Sequence, residues 1–175
     1  RERGTTLINA FASVVAPYSP YREEAVREAM CVLGQNPDTD LFCVYCGKDA
    51  ETWDHVVGLV KNKKFSGFGH VIGNLVPCCK KCNQKKGNKS WQDYFSTIEI
   101  LDPAKTAERE RLIEAYLNEY AHTISITDPQ LLFPEKMNEL NAIQQEILDL
   151  FKKADDIAKN MRVVQLESWD DLDKA

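Results

Sequence analysis

The 175-residue chain contains no apolar run approaching the eighteen or more residues that a membrane-spanning helix requires. Nothing near its first residues has the apolar stretch of a secretory signal, so the expected setting is soluble and cytoplasmic, without a membrane partner. Internal repeats and low-complexity tracts are absent, which excludes solenoid arrays. No helix-turn-helix or other base-reading module is recognisable. Histidines number only three, and positive charge is in deficit: 22 Lys and Arg face 27 Asp and Glu, for a net charge of −5. The length is enough for one domain with a real core.

Of the six cysteines, four form two pairs, Cys43-Val44-Tyr45-Cys46 and Cys79-Lys80-Lys81-Cys82. Without a secretory segment this spacing points to metal ligation rather than to disulfides. Each CxxC turn aims both sulfurs at one point, and four thiolates suit tetrahedral structural zinc. Cys78 and Cys82 also make a CxxxC pair; the better-formed turn and the register with Asn83 favour Cys79 as the ligand. Cys31 lies in a helical pattern and is expected to be a small buried residue. Zinc ribbons usually place about 15–20 residues between their pairs, whereas Cys46 and Cys79 enclose 32. The insert carries Trp53-Asp54-His55 in the β-branched stretch Thr52 to Val60, and Asn83 follows the last cysteine.

At these residues the chain resembles the HNH endonuclease family. The matching motifs are Asp54-His55-Val56, Asn74-Leu75-Val76-Pro77 and Cys79-Lys80-Lys81-Cys82-Asn83, followed by Lys85-Lys86-Gly87. They occur in order over residues 41 to 95. The resemblance implies a ββα-metal fold, in which a two-stranded hairpin and a helix enclose a nuclease site. It further implies that Asp54 and Asn83 bind one catalytic divalent metal, and that Asn74 orients His55 through a backbone hydrogen bond. The third motif letter is Asn83 rather than histidine, an HNN-type variant. A carboxylate and an amide oxygen suit magnesium or manganese.

From the residues themselves, His55 is the natural general base, since a neutral imidazole titrates near working pH and a strand holds it beside Asp54. Successive strand residues face opposite ways. Asp54 and His55 therefore share a site only if the strand is twisted or bulged there. Trp53 is expected to anchor the strand in the core rather than to stack on a base. His70, in a glycine-rich loop, reads as solvent-facing, with DNA contact or a substitute ligand role the alternative, and His122 as a helix C-terminal partner.

Divided along the chain, the charge changes sign. Residues 41 to 95 hold nine lysines against Asp49, Glu51, Asp54 and Asp93, a balance of +5, which leaves −10 for the remainder. Phosphate contact depends on local charge, so Lys80, Lys81, Lys85 and Lys86, with Lys63 and Lys64, are the expected nucleic-acid contacts.

The expected fold is α+β and mostly helical, a central zinc-bound ββα-metal motif flanked by N- and C-terminal helices. Three regions are expected: a helical cap over 1–40, the nuclease core over 41–98 and a helical region over 99–175. Helices are predicted over 5–16 and 21–33, parted by Pro17 and Pro20. Leu41-Phe42-Cys43 reads as a short strand and residues 61–73 as a flexible basic loop. A helix near Cys82 is expected to run through Trp91, Tyr94 and Phe95, with Gly87, Asn88 and Ser90 making two short helices the alternative. Asp102-Pro103 starts a helix whose face holds Leu112, Ile113, Tyr116, Leu117 and Tyr120. A long amphipathic helix follows from Pro134 through Met161; it packs on the N-terminal helices or forms a seam with a second copy or a protein partner. Glu167 to Ala175 is acidic and carries Trp169.

Two function classes result. The leading one is a metal-dependent DNA endonuclease of the restriction or phage-defence kind, and the other a zinc-stabilised nucleic-acid-binding module without turnover.

Overall fold

The computed structural model describes residues 3–98, 102–123 and 128–172. Its fold is α+β and mostly helical, as expected. Helices α1 (Arg3–Val15) and α2 (Glu23–Val32) are separated by the two prolines, which have no N–H to continue a helix. Strand β1 (Thr52–His55) pairs antiparallel with β4 (Leu75–Cys78), placing Thr52 opposite Cys78 and His55 opposite Leu75. The strand predicted to reach Val60 thus ends at His55. Between these strands, β2 (Val60–Lys61) and β3 (Lys64–Phe65) make a second hairpin where the sequence suggested a flexible loop. Its turn is Asn62-Lys63, both at positive φ (53° and 62°), the conformation that closes two-residue hairpins.

Cys79 begins helix α3 (Lys80–Lys86): its sulfur accepts the Cys82 N–H at 3.4 Å. Gly87 ends it at φ 50°, and Ser90 caps a separate helix α4 (Trp91–Thr97) by accepting the Asp93 N–H at 3.0 Å. The two-helix alternative is the one formed. Asp102 caps α5 (Pro103–Glu119) through the Ala104 and Lys105 N–H groups. A short α6 (Pro129–Leu132) precedes α7 (Pro134–Leu172), whose 39 residues extend beyond the predicted helix. Leu41-Phe42-Cys43 makes only a single bridge, Phe42 to Asp49.

The main core joins α2, the cysteine turns, Val56 just after β1, β4, α3, α4 and α5. Trp91, Tyr94 and Phe95 are buried on one face of α4, and Tyr45 meets Tyr94 and Phe95 edge-on at 5.3 and 5.7 Å. A smaller cluster, Ala12, Ala16, Phe65 and Met137, fastens α1 to β3 and to the start of α7. Farther along α7, Leu150, Phe151, Ile157 and Met161 are exposed. Cys31, expected inside, is also exposed, on the outer side of α2. No helix among the described residues is long and apolar enough to cross a membrane. The expectations for Trp169 and the end of the chain fall on side chains outside the described residues.

Candidate active site beside a four-cysteine cluster

The Sγ atoms of Cys43, Cys46, Cys79 and Cys82 all lie within 4.8 Å of one another. Cys46 and Cys79 are 3.7 Å apart, close to the roughly 3.8 Å that tetrahedral zinc sets between sulfurs bonded at about 2.3 Å. The first turn is shaped by the Cys43 N–H on the Lys48 carbonyl (2.6 Å) and the Gly47 N–H on that of Cys43 (2.8 Å). Four cysteines so placed fit a structural zinc ion. Cys78, fully buried, turns its thiol to the Cys79 carbonyl at 3.2 Å and stays outside this set, although its sulfur is 3.8 Å from that of Cys43.

Strand β1 keeps a regular pleat, so Asp54 and His55 face opposite ways and the predicted bulge is absent. Asp54 points inward and is 5% exposed. Its Oδ2 accepts the Tyr45 hydroxyl at 2.7 Å and lies 3.1 Å from Lys86 Nζ, which also donates to the His55 carbonyl at 2.6 Å. Burial pushes the Asp54 carboxyl up, against the pull of Lys86 and Tyr45. Lys86 is itself only 1% exposed. It cannot be the phosphate contact expected of it, because α3 turns it to the same side as Cys82, four residues earlier.

His55 faces the other way, half-buried, with Nε2 2.9 Å from Nδ1 of His70. One ring nitrogen donates and the other accepts. Burial foremost, then the charges of His70 and Lys86, push the His55 pKa down to about 4, below the working-pH range expected of it, so the ring is neutral there but a weaker base than a free imidazole. His70 is not the free loop residue the sequence suggested. Its N–H donates to the Pro17 carbonyl at 2.7 Å, and its own carbonyl accepts the Ser19 N–H at 3.1 Å. A Cβ at Gly69 would overlap the Pro17 carbonyl and ring, so only glycine permits this approach of the two segments.

Asn74 is buried and its amide is fully used. Oδ1 accepts the Val57 N–H at 2.8 Å; Nδ2 donates to the carbonyls of Val57 (3.1 Å) and Gly69 (3.0 Å). The side chain ties together the segments after His55 and before His70, while the backbone carbonyl of Asn74 accepts the Val56 N–H at 2.8 Å, a hydrogen bond across the paired strands at the residue after His55. Asn83, on α3, donates Nδ2 to the Trp53 carbonyl at 3.1 Å, which leaves its Oδ1 outside that bond. Trp53, expected in the core, is 45% exposed, on the same side of β1 as His55.

The lysines divide by helix face. Lys81 and Lys85 are exposed on α3 and line, with Lys48 and Lys89, a groove beside the cysteine cluster. Lys80 is exposed and paired with Glu51 at 3.2 Å, while Lys63 and Lys64 are exposed on the β2–β3 hairpin. His122 is exposed.

Sequence reasoning missed Tyr45, the partner of Asp54, and Tyr116. The latter accepts the Gly73 N–H and donates to the Leu75 carbonyl, both at 2.8 Å, fastening α5 to the entry of β4. Tyr45 carried a signal in its place between two cysteines that converge on one point. Tyr116 carried only its helix periodicity.

Residues 43–89 match the family model for HNH endonuclease. No curated protein and no solved structure matches the chain. The matched segment spans both cysteine pairs, β1, both hairpins and α3, with Asp54, His55, Asn74 and Asn83 inside it. The match makes residues 43–89 an HNH endonuclease domain with four cysteines placed to hold a metal, and such a domain points to a nuclease or nucleic-acid-binding role.

Proposed function

We propose that the protein is a metal-dependent endonuclease that hydrolyses DNA phosphodiester bonds with His55 as general base. The observation that carries this reading is the His55 ring: it stands on a regular strand inside the matched domain, with Nε2 fixed against His70. When His55 Nε2–H donates to His70 Nδ1, the His55 Nδ1 lone pair is free to take a proton from water. The water oxygen then attacks phosphorus and the bond to the departing sugar oxygen breaks. Asn74 keeps the two histidine segments in place, and exposed Lys81 and Lys85 draw the phosphate backbone toward the domain.

Asp54 and Asn83 offer a carboxylate and an amide oxygen, the hard donors that magnesium or manganese takes. Such an ion supplies Lewis-acid polarisation of a phosphate oxygen when bound. For Asp54 to ligate an ion that shares a phosphate with His55, Lys86 must give up its place on the carboxylate and β1 must turn locally, because the two side chains face opposite ways. That ion pair favours a second reading, a zinc-stabilised nucleic-acid-binding module in which Lys86 has neutralised Asp54 for good. A role in restriction or phage defence and a cytoplasmic setting belong to the leading reading. The exposed apolar stripe on α7 is offered as its contact with a second copy or a protein partner.

Plasmid nicking by the zinc-loaded protein, with and without magnesium or manganese, separates the two readings. The endonuclease cuts only with the added ion, and His55→Ala lowers the rate about 10²- to 10⁴-fold at unchanged zinc content and DNA affinity. Wild-type cutting by His55→Ala would place the base elsewhere, and no cutting of any DNA would leave the binding module.

A further inference from the structure

Beside His70 lies a recess of about 220 Å³ between α2 and the paired strands β1 and β4. It is smaller than the roughly 300–1,000 Å³ of ordinary ligand pockets, so it suits one small planar group. Among the described residues no lysine, arginine or carboxylate lines it. Its wall is Met30, Ile72 and His70, and its mouth carries two rings largely open to solvent, Trp53 at 45% and Tyr21 at 79%. Open rings over an apolar floor are how proteins receive bases, because every base has a π-face that stacks on an aromatic side chain.

The recess is also continuous with the candidate active site. His70 lines it with one side of its ring and holds His55 at 2.9 Å, while Trp53 lies two residues before His55 on the same face of β1. A nucleotide strand whose phosphate lies at His55 therefore brings a neighbouring base to this mouth.

We infer that this recess binds one unstacked nucleobase of the strand whose phosphate lies at His55, making single-stranded or locally opened DNA the preferred substrate. The inference rests on the endonuclease reading for the position of the phosphate. A base inside a duplex is already stacked on both faces, so entering the recess means leaving the helix, which costs free energy that a single strand does not spend. The polar groups of the lining, from Ser19 and His70, are compatible with any base edge. Stacking here selects strand state rather than sequence.

The test is binding, read without added divalent ion so that cleavage does not interfere. Fluorescence anisotropy compares a labelled single-stranded oligonucleotide with the matching duplex, using zinc-loaded wild type, Trp53→Ala, Trp53→Phe and Tyr21→Ala. The expected result is about tenfold weaker single-strand binding for Trp53→Ala and Tyr21→Ala, with duplex binding within about twofold and Trp53→Phe near wild type. Wild-type tryptophan emission should be quenched by the single strand, and the quench lost in Trp53→Phe. Equal losses on single strand and duplex, or no loss in either alanine variant, would overturn the recess. So would a quench that persists in Trp53→Phe. Tyr21 is peripheral to the core, so its alanine variant keeps the test open even if Trp53→Ala does not fold. Failure of the endonuclease reading appears separately, as cleavage indifferent to His55→Ala.

Discussion

Lys86 Nζ lies 3.1 Å from Asp54 Oδ2, and both side chains are buried. The same ammonium donates to the His55 carbonyl, so one lysine fastens α3 to β1 at both members of the Asp54-His55 pair. Removing one partner of a buried ion pair leaves the other charge stranded, which costs about 3–5 kcal/mol, whereas replacing both by apolar groups is often neutral. Lys86→Met should therefore lose about that much stability in urea unfolding of the zinc-loaded protein, and Lys86→Met with Asp54→Leu should recover most of it. A single-variant loss below about 1 kcal/mol would mean the pair contributes little.

The cysteine cluster predicts one zinc per chain. Cys79→Ser should lose the metal and unfold, because structural zinc supplies folding free energy directly. Cys78→Ala should keep its zinc at a modest cost from a small buried cavity. Elemental analysis and circular dichroism check both. The reverse pattern, zinc lost in Cys78→Ala and kept in Cys79→Ser, would reassign the third ligand.

The division of lysines by helix face makes a salt-dependence prediction. Each phosphate contact contributes about 0.9 to the slope of log affinity against log salt on duplex DNA and about 0.7 on single strands. Lys81→Gln and Lys85→Gln should each reduce the slope by about that amount, without changing which sequences bind. An unchanged slope in both would make the groove a solvated surface and move the phosphate track to the Lys63-Lys64 hairpin.

What the sequence could and could not convey follows from the physics of each element. The cysteine pairs, the Asp102-Pro103 helix start and the buried aromatic face of α4 were legible because their determinants are local: a turn, a cap, a period of three to four. Lys86 was misread although its signal was present. Cys82 and Lys86 are four apart on α3, so an inward cysteine implies an inward lysine, but a run of lysines suggests solvent when each is read alone. Trp53 was misplaced because its burial depends on what covers the strand. The cover over that face of β1, His70 and the Pro17–Ser19 segment, comes from distant stretches of chain. The His55–His70 contact was invisible for the same reason, since it is set by the Gly69–Pro17 approach rather than by any spacing.

Tyr116 supplies a pH prediction. Burial raises its hydroxyl to about 12, with the Gly73 N–H pulling the other way, against about 10 in the unfolded chain. A group raised in the folded state contributes stability that is complete below the unfolded value and is lost as pH climbs through the folded one. The advantage of wild type over Tyr116→Phe should thus be constant up to about pH 9 and shrink by roughly 1 kcal/mol by pH 11. Urea unfolding of the pair at several pH values measures it. A constant difference through pH 11 would show that the phenol ionises no differently in the fold.

Asn74 is the residue whose loss should couple stability to the site most directly. Its amide meets three backbone groups, the N–H and carbonyl of Val57 and the carbonyl of Gly69, and none of these can turn to water without opening the core. Asn74→Ala orphans all three at about 1–3 kcal/mol for each group left unsatisfied, and partial relaxation should bring the total to about 3 kcal/mol. Asn74→Asp keeps the shape but turns an oxygen toward two carbonyls, so repulsion replaces two hydrogen bonds and the loss should be at least as large. Both variants free the Gly69-His70 segment from Val57, and with it the ring that holds His55. Cleavage at saturating DNA should then fall more than DNA affinity does, since the lysines of α3 are untouched. Thermal unfolding and single-turnover cleavage separate the two effects. An Asn74→Asp protein as stable and as active as wild type would mean that the His55–His70 geometry is held by the Pro17 contact alone.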